Sequence, residues 1–412
     1  MINKKLKVGN VPNLRFPEFT EEWETKKLGE ILEFKNGINA TKEQYGSGYK
    51  FINVLDILNN EFITHDKIIG SVNVNEEIID KFPVNYGDIL FQRSSETREE
   101  VGTTSVYLDK DKTATFGGFV IRGKKIGEYE PIFLNKSLKT DLVRNQITSK
   151  SGGSTRYNIG QEILASVTLH FPSLNEQTKI ASFLSLIDSR IQTQNKIIEE
   201  LKLLKNTLSK KIISGQLKFK DKNGNNFPEW VSKELAEVMS VPEKIKSKNI
   251  DKSRLLTVKL HLKGVSQNDN TNTLSLGATN YFIRKKGQFI YGKQNLFNGA
   301  FGIIPDEFDG FLSSGDVPAL DIKHSKINTA YLIYFLGRVD FYKRLEDLAA
   351  GSGSKRIHET TLLGIKIDFP TIEEQHKIAN FLLSIDGKIE IETHILQKLE
   401  RQKTYFLANL FI

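Results

Sequence analysis

The feature that most constrains the fold is a segment that the chain contains twice. One copy begins at Phe171-Pro172 and the other at Phe369-Pro370, and the two correspond without a gap at an offset of 198 residues. Twelve of the 21 paired positions from residue 171 to residue 191 are identical. A self-match of this length at one fixed offset indicates that a structural unit has been duplicated in tandem.

Each copy predicts a long helix. Pro172 and Pro370 suit a first helical turn, where the missing N–H is not needed, and no glycine or proline interrupts the first copy from residue 173 to residue 214. Apolar residues then follow a seven-residue repeat, which is typical of a coiled-coil seam. The seam positions predicted to pair the helices are Ile180, Leu184, Ile187, Ile191, Ile198 and Leu201 in the first copy, and Ile378, Leu382, Ile385, Ile389, Leu396 and Leu399 in the second.

Each copy is the natural partner of the other, because both carry the same seam. The polar exceptions in the seam repeat as well, since Gln194 and Lys205 correspond to Glu392 and Lys403. A helix of about 40 residues is about 60 Å long at about 1.5 Å per residue. The alternative is that each helix lies on its own globular domain.

The composition is that of a globular chain with more than one domain. The 412 residues allow two or three domains, and 39% hydrophobic with 26% charged residues is ordinary for such chains. The sequence has no cysteine, no apolar run long enough to cross a membrane and no signal-peptide core at its start, which together favour the cytoplasm. A formal net charge of +8 permits nucleic acid or another acidic partner.

The duplication includes the start of each half. Trp23 and Trp230, each preceded by a Phe-Pro-Glu sequence, correspond at an offset of 207 residues. Short β-branched and aromatic runs predict strands at residues 49–54, 89–92, 104–108 and 119–122, and at 255–260, 289–291, 300–304 and 319–322. One helix is predicted in each half, at residues 132–147 and 328–348. The segments 53–81 and 242–280 do not align, which indicates a repeated frame that carries different loops.

No catalytic or metal-binding constellation emerges from the sequence. Residues 118–125 and 287–294 resemble phosphate-binding loops, but both lack the Ser or Thr that would hold magnesium, and both are filled with strand-forming residues. The seven histidines have no metal-ligand spacing. The chain is therefore expected to be non-catalytic, with no metal site and no cofactor of its own.

Motifs in each half resemble those of type I restriction–modification specificity subunits. The helices carry the pattern Pro-x-x-x-Glu-Gln-x-x-Ile-Ala-x-Phe-Leu-x-x-x-Asp at Pro172–Asp188 and again at Pro370–Asp386. A Gly-Ser-x-Arg sequence precedes each helix, ending at Arg156 and at Arg356. The resemblance covers nearly the full chain, and only the loops expected to read the target fall outside it.

The resemblance implies an α+β fold with two target recognition domains, separated by two long helices that form an antiparallel coiled coil with a pseudo-two-fold repeat. The implied segments are residues 1–172 for the first domain, 173–222 for the first spacer helix, 223–370 for the second domain and 371–412 for the second helix. Such a subunit binds double-stranded DNA at a bipartite site in the bacterial cytoplasm. It recruits two modification (adenine methyltransferase) subunits and restriction (translocase/nuclease) subunits, and these partners bind S-adenosylmethionine, ATP and Mg.

Polar side chains on loops are the candidates for DNA contact, because phosphates take Arg and Lys and base edges take forked donors and acceptors. An ordinary solvated loop is the alternative for each. Phe183 and Phe381 are predicted to help dock the partner subunits, unless they pack within the protein. The DNA-binding candidates are Gln92, Arg93, Ser94, Arg98 and Arg156 in the first domain, and Lys293, Gln294, Asn295, Asn298 and Arg356 in the second.

Two other classes of protein compete with this interpretation. One is an enzyme, either a fused methyltransferase or a nuclease, which the missing catalytic motifs disfavour. The other is a coiled-coil scaffold that does not recognise DNA, which the two unlike domains disfavour. If the helices set the spacing, inserting four residues after Leu201 should lengthen the unread gap between two half-sites and leave the half-sites unchanged.

Overall fold

The computed structural model describes residues 9–153, 155–268, 279–351 and 354–412. Its packing forms two units. Unit one runs to Lys196 and also contains His394–Ile412, and unit two is Ile197–Thr393. Each unit thus contains one globular part and a segment of each long helix. The four segment boundaries predicted from the sequence stay predictions.

Unit one has a five-stranded sheet in the order β2-β10-β6-β8-β4, antiparallel except for β4 and β8, and a three-stranded sheet in the order β5-β3-β9. Strand β1 pairs with β12, and β7 with β11. The strands are β1 (Glu24–Lys27), β2 (Leu32–Asn36), β3 (Tyr45–Ile52), β4 (Phe62–Ile63), β5 (Ser71–Val72), β6 (Ile89–Gln92), β7 (Ser94–Ser95), β8 (Thr104–Tyr107), β9 (Thr115–Phe116), β10 (Val120–Lys125), β11 (Tyr157–Asn158) and β12 (Thr168–Phe171). The helices that begin in it are α1 (Val54–Asn59), α2 (Glu76–Lys81), α3 (Pro131–Ser137), α4 (Asp141–Lys150), α5 (Gln161–Ala165) and α6 (Leu174–Ile213).

Unit two repeats this frame. Its four-stranded sheet has the order β14-β21-β18-β19, which matches β2-β10-β6-β8, and β13 pairs with β22 as β1 pairs with β12. The strands are β13 (Val231–Glu234), β14 (Met239–Ser240), β15 (Leu256–Val258), β16 (Val265–Gln267), β17 (Tyr281–Ile283), β18 (Phe289–Tyr291), β19 (Phe301–Ile303), β20 (Leu312–Ser314), β21 (Ala319–Ile322) and β22 (Lys366–Phe369). The helices are α7 (Thr329–Leu336), α8 (Val339–Arg344), α9 (Glu359–Leu363) and α10 (Ile372–Asn409).

The single helix predicted in each half is in fact two. In unit one, α3 ends at Ser137 and α4 begins at Asp141, and Thr140 between them donates its hydroxyl to the Ser137 carbonyl at 2.7 Å. In unit two, α7 ends before Gly337 and α8 begins at Val339. The strand predicted at residues 119–122 begins one residue later and is longer, since β10 runs from Val120 to Lys125.

The Glu-Gln motif seats each long helix on its own domain. Gln177 is buried, its Oε1 accepts from the Glu130 N–H at 3.0 Å, and its Nε2 donates to the Pro172 carbonyl at 2.9 Å. Gln375 makes the same two bonds, to the Asn328 N–H at 2.8 Å and to the Pro370 carbonyl at 3.0 Å. Glu130 and Asn328 in turn cap the N-termini of α3 and α7. The repeated glutamine therefore joins two helix starts in each unit.

All twelve seam residues predicted for helix pairing are buried or half-buried. Those near the helix starts also belong to the cores of the units: Leu184 lies in the same cluster as Phe133 and Leu410, and Leu382 lies with Phe335. Burial of one such leucine is worth about 1.5–3 kcal/mol. The seam thus serves helix pairing and domain packing together, and the two alternatives raised by the sequence are both realised.

Within each unit the two helix segments run antiparallel. In unit one, Phe183 contacts Phe406 with ring centroids 4.9 Å apart, and Asp188 Oδ1 lies 2.7 Å from Lys403 Nζ. In unit two, Lys205 Nζ lies 2.6 Å from Asp386 Oδ1. The two Asp–Lys contacts, called the cross-helix ion pairs below, correspond at the 198-residue offset. They give the half-buried lysine in each copy of the seam a carboxylate partner, and a polar residue in a coiled-coil seam helps to specify register.

A buried charge cluster surrounds the ion pair of unit one. Lys136 is 2% exposed; its Nζ lies 2.5 Å from Glu61 Oε1 and also contacts Asp188. Lys139 Nζ and Lys403 Nζ approach Glu61 at 3.6 and 3.9 Å. The equivalent position in unit two is Tyr334, whose hydroxyl donates to Asp386 at 2.5 Å. The aspartate of the cross-helix ion pair is therefore also contacted by an ammonium group, Lys136, in unit one and by a phenol, Tyr334, in unit two.

Candidate nucleic-acid interface

In unit one the structure brings together candidate residues that are far apart in the sequence. Strand β7 follows Arg93 and pairs with β11, which follows Arg156. The Ile159 N–H donates to the Arg93 carbonyl at 3.0 Å. Ser94 donates through its hydroxyl to the Asn158 side chain. The loop after β6 and the loop before α5 thus form one surface, called the first polar cluster: Arg93, Ser94, Arg98, Arg156 and Asn158.

Two arginines of this cluster have no carboxylate partner among the ion pairs of the described residues. Arg93 is half-buried, and its Nη1 donates to the Gly118 carbonyl at 3.2 Å. Arg98 is exposed, with its guanidinium 5.3 Å from the centroid of the Tyr157 ring. Arg156 is 62% exposed and lies 3.9 Å from Glu96. The cluster therefore presents positive charge that the protein itself neutralises only in part.

Gln92 is not on this surface. It is 4% exposed, because all four residues of β6 are buried, and its Nε2 donates to the Ser94 carbonyl at 3.0 Å. Burial argues against the prediction that Gln92 contacts a base, and its side chain instead supports the loop that carries Ser94. Asn158 is exposed and was missed from the sequence, although its place two residues after Arg156 could have indicated it.

The corresponding loop in unit two has a similar backbone arrangement. Lys293 follows β18, and its carbonyl accepts from the Ile357 N–H at 3.0 Å, as Arg93 does from Ile159. Its side chain is only 12% exposed and pairs with Glu359 at 2.9 Å. Burial opposes the ionised Glu359, but the Lys293 ammonium outweighs it and lowers the pKa of that carboxyl. This pairing argues against the prediction that Lys293 contacts a base.

The amide side chains after Lys293 do lie at the surface. Gln294 and Asn295 are exposed, and Asn298 is half-buried and donates to the Asn295 side chain at 3.1 Å. A short turn over Leu296–Asn298 holds them, and it ends at Gly299, whose φ of 73° is the left-handed conformation that glycine adopts easily. These amides offer both donors and acceptors, which base edges require.

Arg356 lies beside an acid in unit two. Its Nε is 3.3 Å from Asp316 Oδ1, and the Lys293 N–H donates to the Asp316 carbonyl at 2.9 Å. Arg356 therefore has a carboxylate partner in unit two, whereas Arg156 has only the 3.9 Å contact with Glu96. Part of each Gly-Ser-x-Arg sequence, at Ser154 and Gly353, lies outside the described residues. Roles of both arginines in DNA binding stay predictions.

The two phenylalanines predicted to dock partner subunits pack within their own units. Phe183 lies between Phe16 and Phe406, with ring centroids 5.9 and 4.9 Å away. Phe381 contacts Phe219 at 5.7 Å. Both rings are half-buried. Their packing matches the alternative that the sequence left open, because aromatic neighbours already cover much of each ring.

Two other kinds of feature are not found in the described part of the chain. Across the described ranges, no group of three histidine or acidic side chains is arranged to hold a metal ion. No helix in those ranges is long and apolar enough to span a membrane. The first polar cluster, and the amides of Gln294, Asn295 and Asn298 in unit two, are the candidate site that the sequence and the structure together indicate.

Comparison with known proteins gives the same family throughout. The profile of the type I restriction modification DNA specificity domain matches residues 20–203 and again residues 228–401. The specificity subunit of the type I restriction enzyme MjaVIII from Methanocaldococcus jannaschii is 26% identical, over 95% of this chain and 91% of that protein. The StySPI specificity subunit from Salmonella potsdam is 22% identical, over 87% and 81%.

Solved structures with the same fold include the S subunit of a type I restriction–modification system from M. genitalium. That structure has a TM-score of 0.56 and 17% identity, covering 98% of this chain and 99% of the other. A second, from a study of the assembly and conformational transition of the type I system, has a TM-score of 0.57 and 14% identity over 95% and 98%. The predicted α+β fold with two repeated domains and two long helices is thereby confirmed.

Proposed function

The chain belongs to the type I restriction–modification DNA specificity family, and on that basis we propose that it is the non-catalytic DNA-recognition subunit of such a complex. Each domain binds one half of a bipartite duplex site. The subunit recruits two modification subunits, which methylate adenine, and restriction subunits, which translocate and cleave DNA. It holds no cofactor itself, and the partners bind S-adenosylmethionine, ATP and Mg.

The observation that carries this proposal is the contrast between the repeated frame and the unlike clusters on it. In both units the sheet has the same order of four strands. The loop that follows β6 or β18 is bonded through its backbone to the segment after the Gly-Ser sequence. That loop presents arginines and Ser94 in unit one but surface amides in unit two. Because different hydrogen-bonding groups select different bases, equal frames with unequal loops suit two different half-sites.

Spacing between the half-sites is proposed to follow the length of the paired helices. The cross-helix ion pairs suggest a better design for the four-residue insertion after Leu201, because Leu201 lies between Asp188 and Lys205. A four-residue insertion there alone would shift one lysine relative to its aspartate. A matched insertion after Ile389, between Asp386 and Lys403, should keep both pairs and lengthen the unread gap by about two base pairs, at about 1.5 Å per helical residue and about 3.4 Å per base pair.

The experiment is N6-methyladenine mapping in cells that express the full chain with its modification subunit. We expect a bipartite methylated site, a longer gap with the matched double insertion, and no methylation without this chain. Methylation by the purified chain alone would favour an enzyme. Folded chain that binds the modification subunit but confers no site-specific methylation would favour the coiled-coil scaffold instead.

Substitution of arginines tests whether Arg93 of the first polar cluster contributes to the recognition of one half-site only. Arg93→Ala should relax one half-site and leave the other unchanged, since Arg93 is fixed to the sheet at the loop that differs between domains. Arg190→Ala is the matched control, because Arg190 is an exposed arginine of the same unit on helix α6, outside the first polar cluster, and it should leave both half-sites unchanged. Loss of discrimination in both half-sites with Arg93→Ala would contradict the assignment of one half-site to each domain.

A further inference from the structure

An exposed phenylalanine lies beside the first polar cluster. Phe119 is 64% exposed, at a tight turn that connects β9 to β10, in which the Val120 N–H donates to the Gly117 carbonyl at 2.9 Å. The Arg93 N–H donates to the Phe119 carbonyl at 2.9 Å, so the turn and the arginine are held together. A single exposed phenyl ring is normal, but this one is grouped with the exposed Tyr45 and Leu55, and grouped exposed apolar residues mark interaction sites.

The turn also forms one wall of an apolar cleft. The cleft has a volume of about 210 Å³, and its walls include Tyr45, Leu55 and Gly117. Tyr45 is 49% exposed and Leu55 is 67% exposed. Gly118 fits because a Cβ there would meet Asn39 Oδ1 at 1.9 Å. The cleft is thus a small opening beside the glycine turn, lined mainly by apolar residues together with Asn53.

The equivalent turn in unit two has different chemistry. The Lys293 N–H donates to the Asp316 carbonyl as the Arg93 N–H donates to the Phe119 carbonyl, so Asp316 corresponds to Phe119, and the turn is closed by a bond from the Val317 N–H to the Ser314 carbonyl at 3.1 Å. Its middle residue is Asp316, which pairs with Arg356. The same turn on the same frame is therefore apolar in one domain and acidic in the other.

We propose that Phe119 is a specificity-determining residue that contacts the C5-methyl group of a thymine in the half-site of the first domain. This inference rests on the proposed function and names the base feature that one turn reads. The major groove exposes one apolar group, the thymine methyl, and phenylalanine is one of the side chains that contact it.

Charge complementarity identifies the occupant of the cleft as duplex DNA. Arg93 is fixed to the Gly118 carbonyl of the same turn, and Arg98 stands in the loop that follows β7. Neither arginine has an acidic partner among the ion pairs of the described part of the chain. Positive charge without a carboxylate partner, on the loop bonded to this turn, suits a ligand that carries phosphates outside and flat bases inside.

The test uses the full chain assembled with its modification subunits and a library of duplexes with a randomised core. The wild-type complex is first used to select its preferred site. Each thymine of that site is then replaced singly by deoxyuridine, which removes only the methyl group. We expect one thymine in one half-site at which the replacement weakens wild-type binding about fourfold, equivalent to the ~0.8 kcal/mol of one buried methyl group.

Phe119→Ala should bind the thymine site about fourfold more weakly than wild type and should be insensitive to the uracil replacement. Phe119→Leu keeps an apolar contact and should retain most of the sensitivity. Ile126→Ala is the matched control, because Ile126 is 56% exposed at the other end of β10. It should behave as wild type.

Several results would overturn the inference. One is a Phe119→Ala complex that remains sensitive to uracil, and another is a uniform loss of affinity at every sequence. A third is loss of the modification subunit from the complex, which would assign the ring to a protein contact. If wild type selects a bipartite site without any such thymine, this inference fails while the proposed function stands. If wild type selects no site, both fail.

Discussion

Glu61 is expected to stabilise unit one strongly at neutral pH, and Glu61→Gln tests this with little change in shape. The carboxylate is 29% exposed and has three lysines within 4 Å. Burial raises the pKa of this carboxyl, but the charges of Lys139, Lys136 and Lys403 together outweigh burial and lower the pKa from 4.5 to about 2. Glutamine keeps the size of the side chain and removes the charge that these lysines contact.

The size of the effect follows from the two pKa values. The difference between 4.5 in the unfolded chain and about 2 in the folded one, at about 1.36 kcal/mol for each pH unit, gives about 3 kcal/mol. Because the folded-state pKa is the lower one, this stabilisation is fully present above pH 4.5 and is lost as the pH falls through about 2. Less than half of it remains at about pH 3.

The two tryptophans of the chain provide the assay, since Trp23 is in unit one and Trp230 is in unit two. In a Trp230→Phe background, Trp23 fluorescence follows urea unfolding of unit one. Glu61→Gln should lower the free energy of unfolding by about 3 kcal/mol at pH 7 and by less than half of that at about pH 3. Glu99→Gln, at an exposed carboxylate, is the control and should change little. A loss that is equal at both pH values would refute the electrostatic reasoning.

Three further changes have defined outcomes. Tyr334→Phe removes the hydroxyl that donates to the partly exposed Asp386 and should cost unit two about 1 kcal/mol in urea unfolding followed by Trp fluorescence; no loss would mean that solvent already replaces the bond. Gln177→Ala leaves two buried backbone groups, including the Glu130 N–H, without partners, so unit one should lose about 3 kcal/mol; a loss well below 1 kcal/mol would show that water or a rearrangement supplies them. Arg156→Ala should weaken binding of the assembled complex to all duplexes alike and reduce the slope of log affinity against log salt by about 1; a change confined to one sequence would contradict a phosphate contact.

The sequence was sufficient for the features that depend on periodicity. Two long helices were predicted at residues where the structure has Leu174–Ile213 and Ile372–Asn409, because a seven-residue repeat is a property of the chain itself. The repeated domains followed from the constant offset in the same way. The break between α3 and α4 could not be seen, because the leucines at four-residue steps continue through it and the hydroxyl of Thr140 has no periodic signal.

The candidate site was predicted at the level of segments but not of every side chain. The loop after β6 and the segment at Arg156 were predicted as two separate candidates, and in the structure they are joined by the pairing of β7 with β11. Gln92 and Lys293 were chosen for their chemistry, and both are covered by neighbours that only the fold supplies. Phe119 was overlooked because an aromatic residue next to a strand reads as part of the strand, while its exposure depends on the turn.

The position of the Glu-Gln motif decides what a match to this motif indicates about a related protein. Gln177 and Gln375 are buried at the junction of helix and domain, with both amide groups satisfied by backbone partners. The most recognisable motif of the chain therefore attaches the long helices to the domains, and its glutamines are buried away from any ligand. Two chains that share this motif are therefore expected to attach their long helices to their domains in the same way, and the motif itself does not indicate which DNA either one would bind.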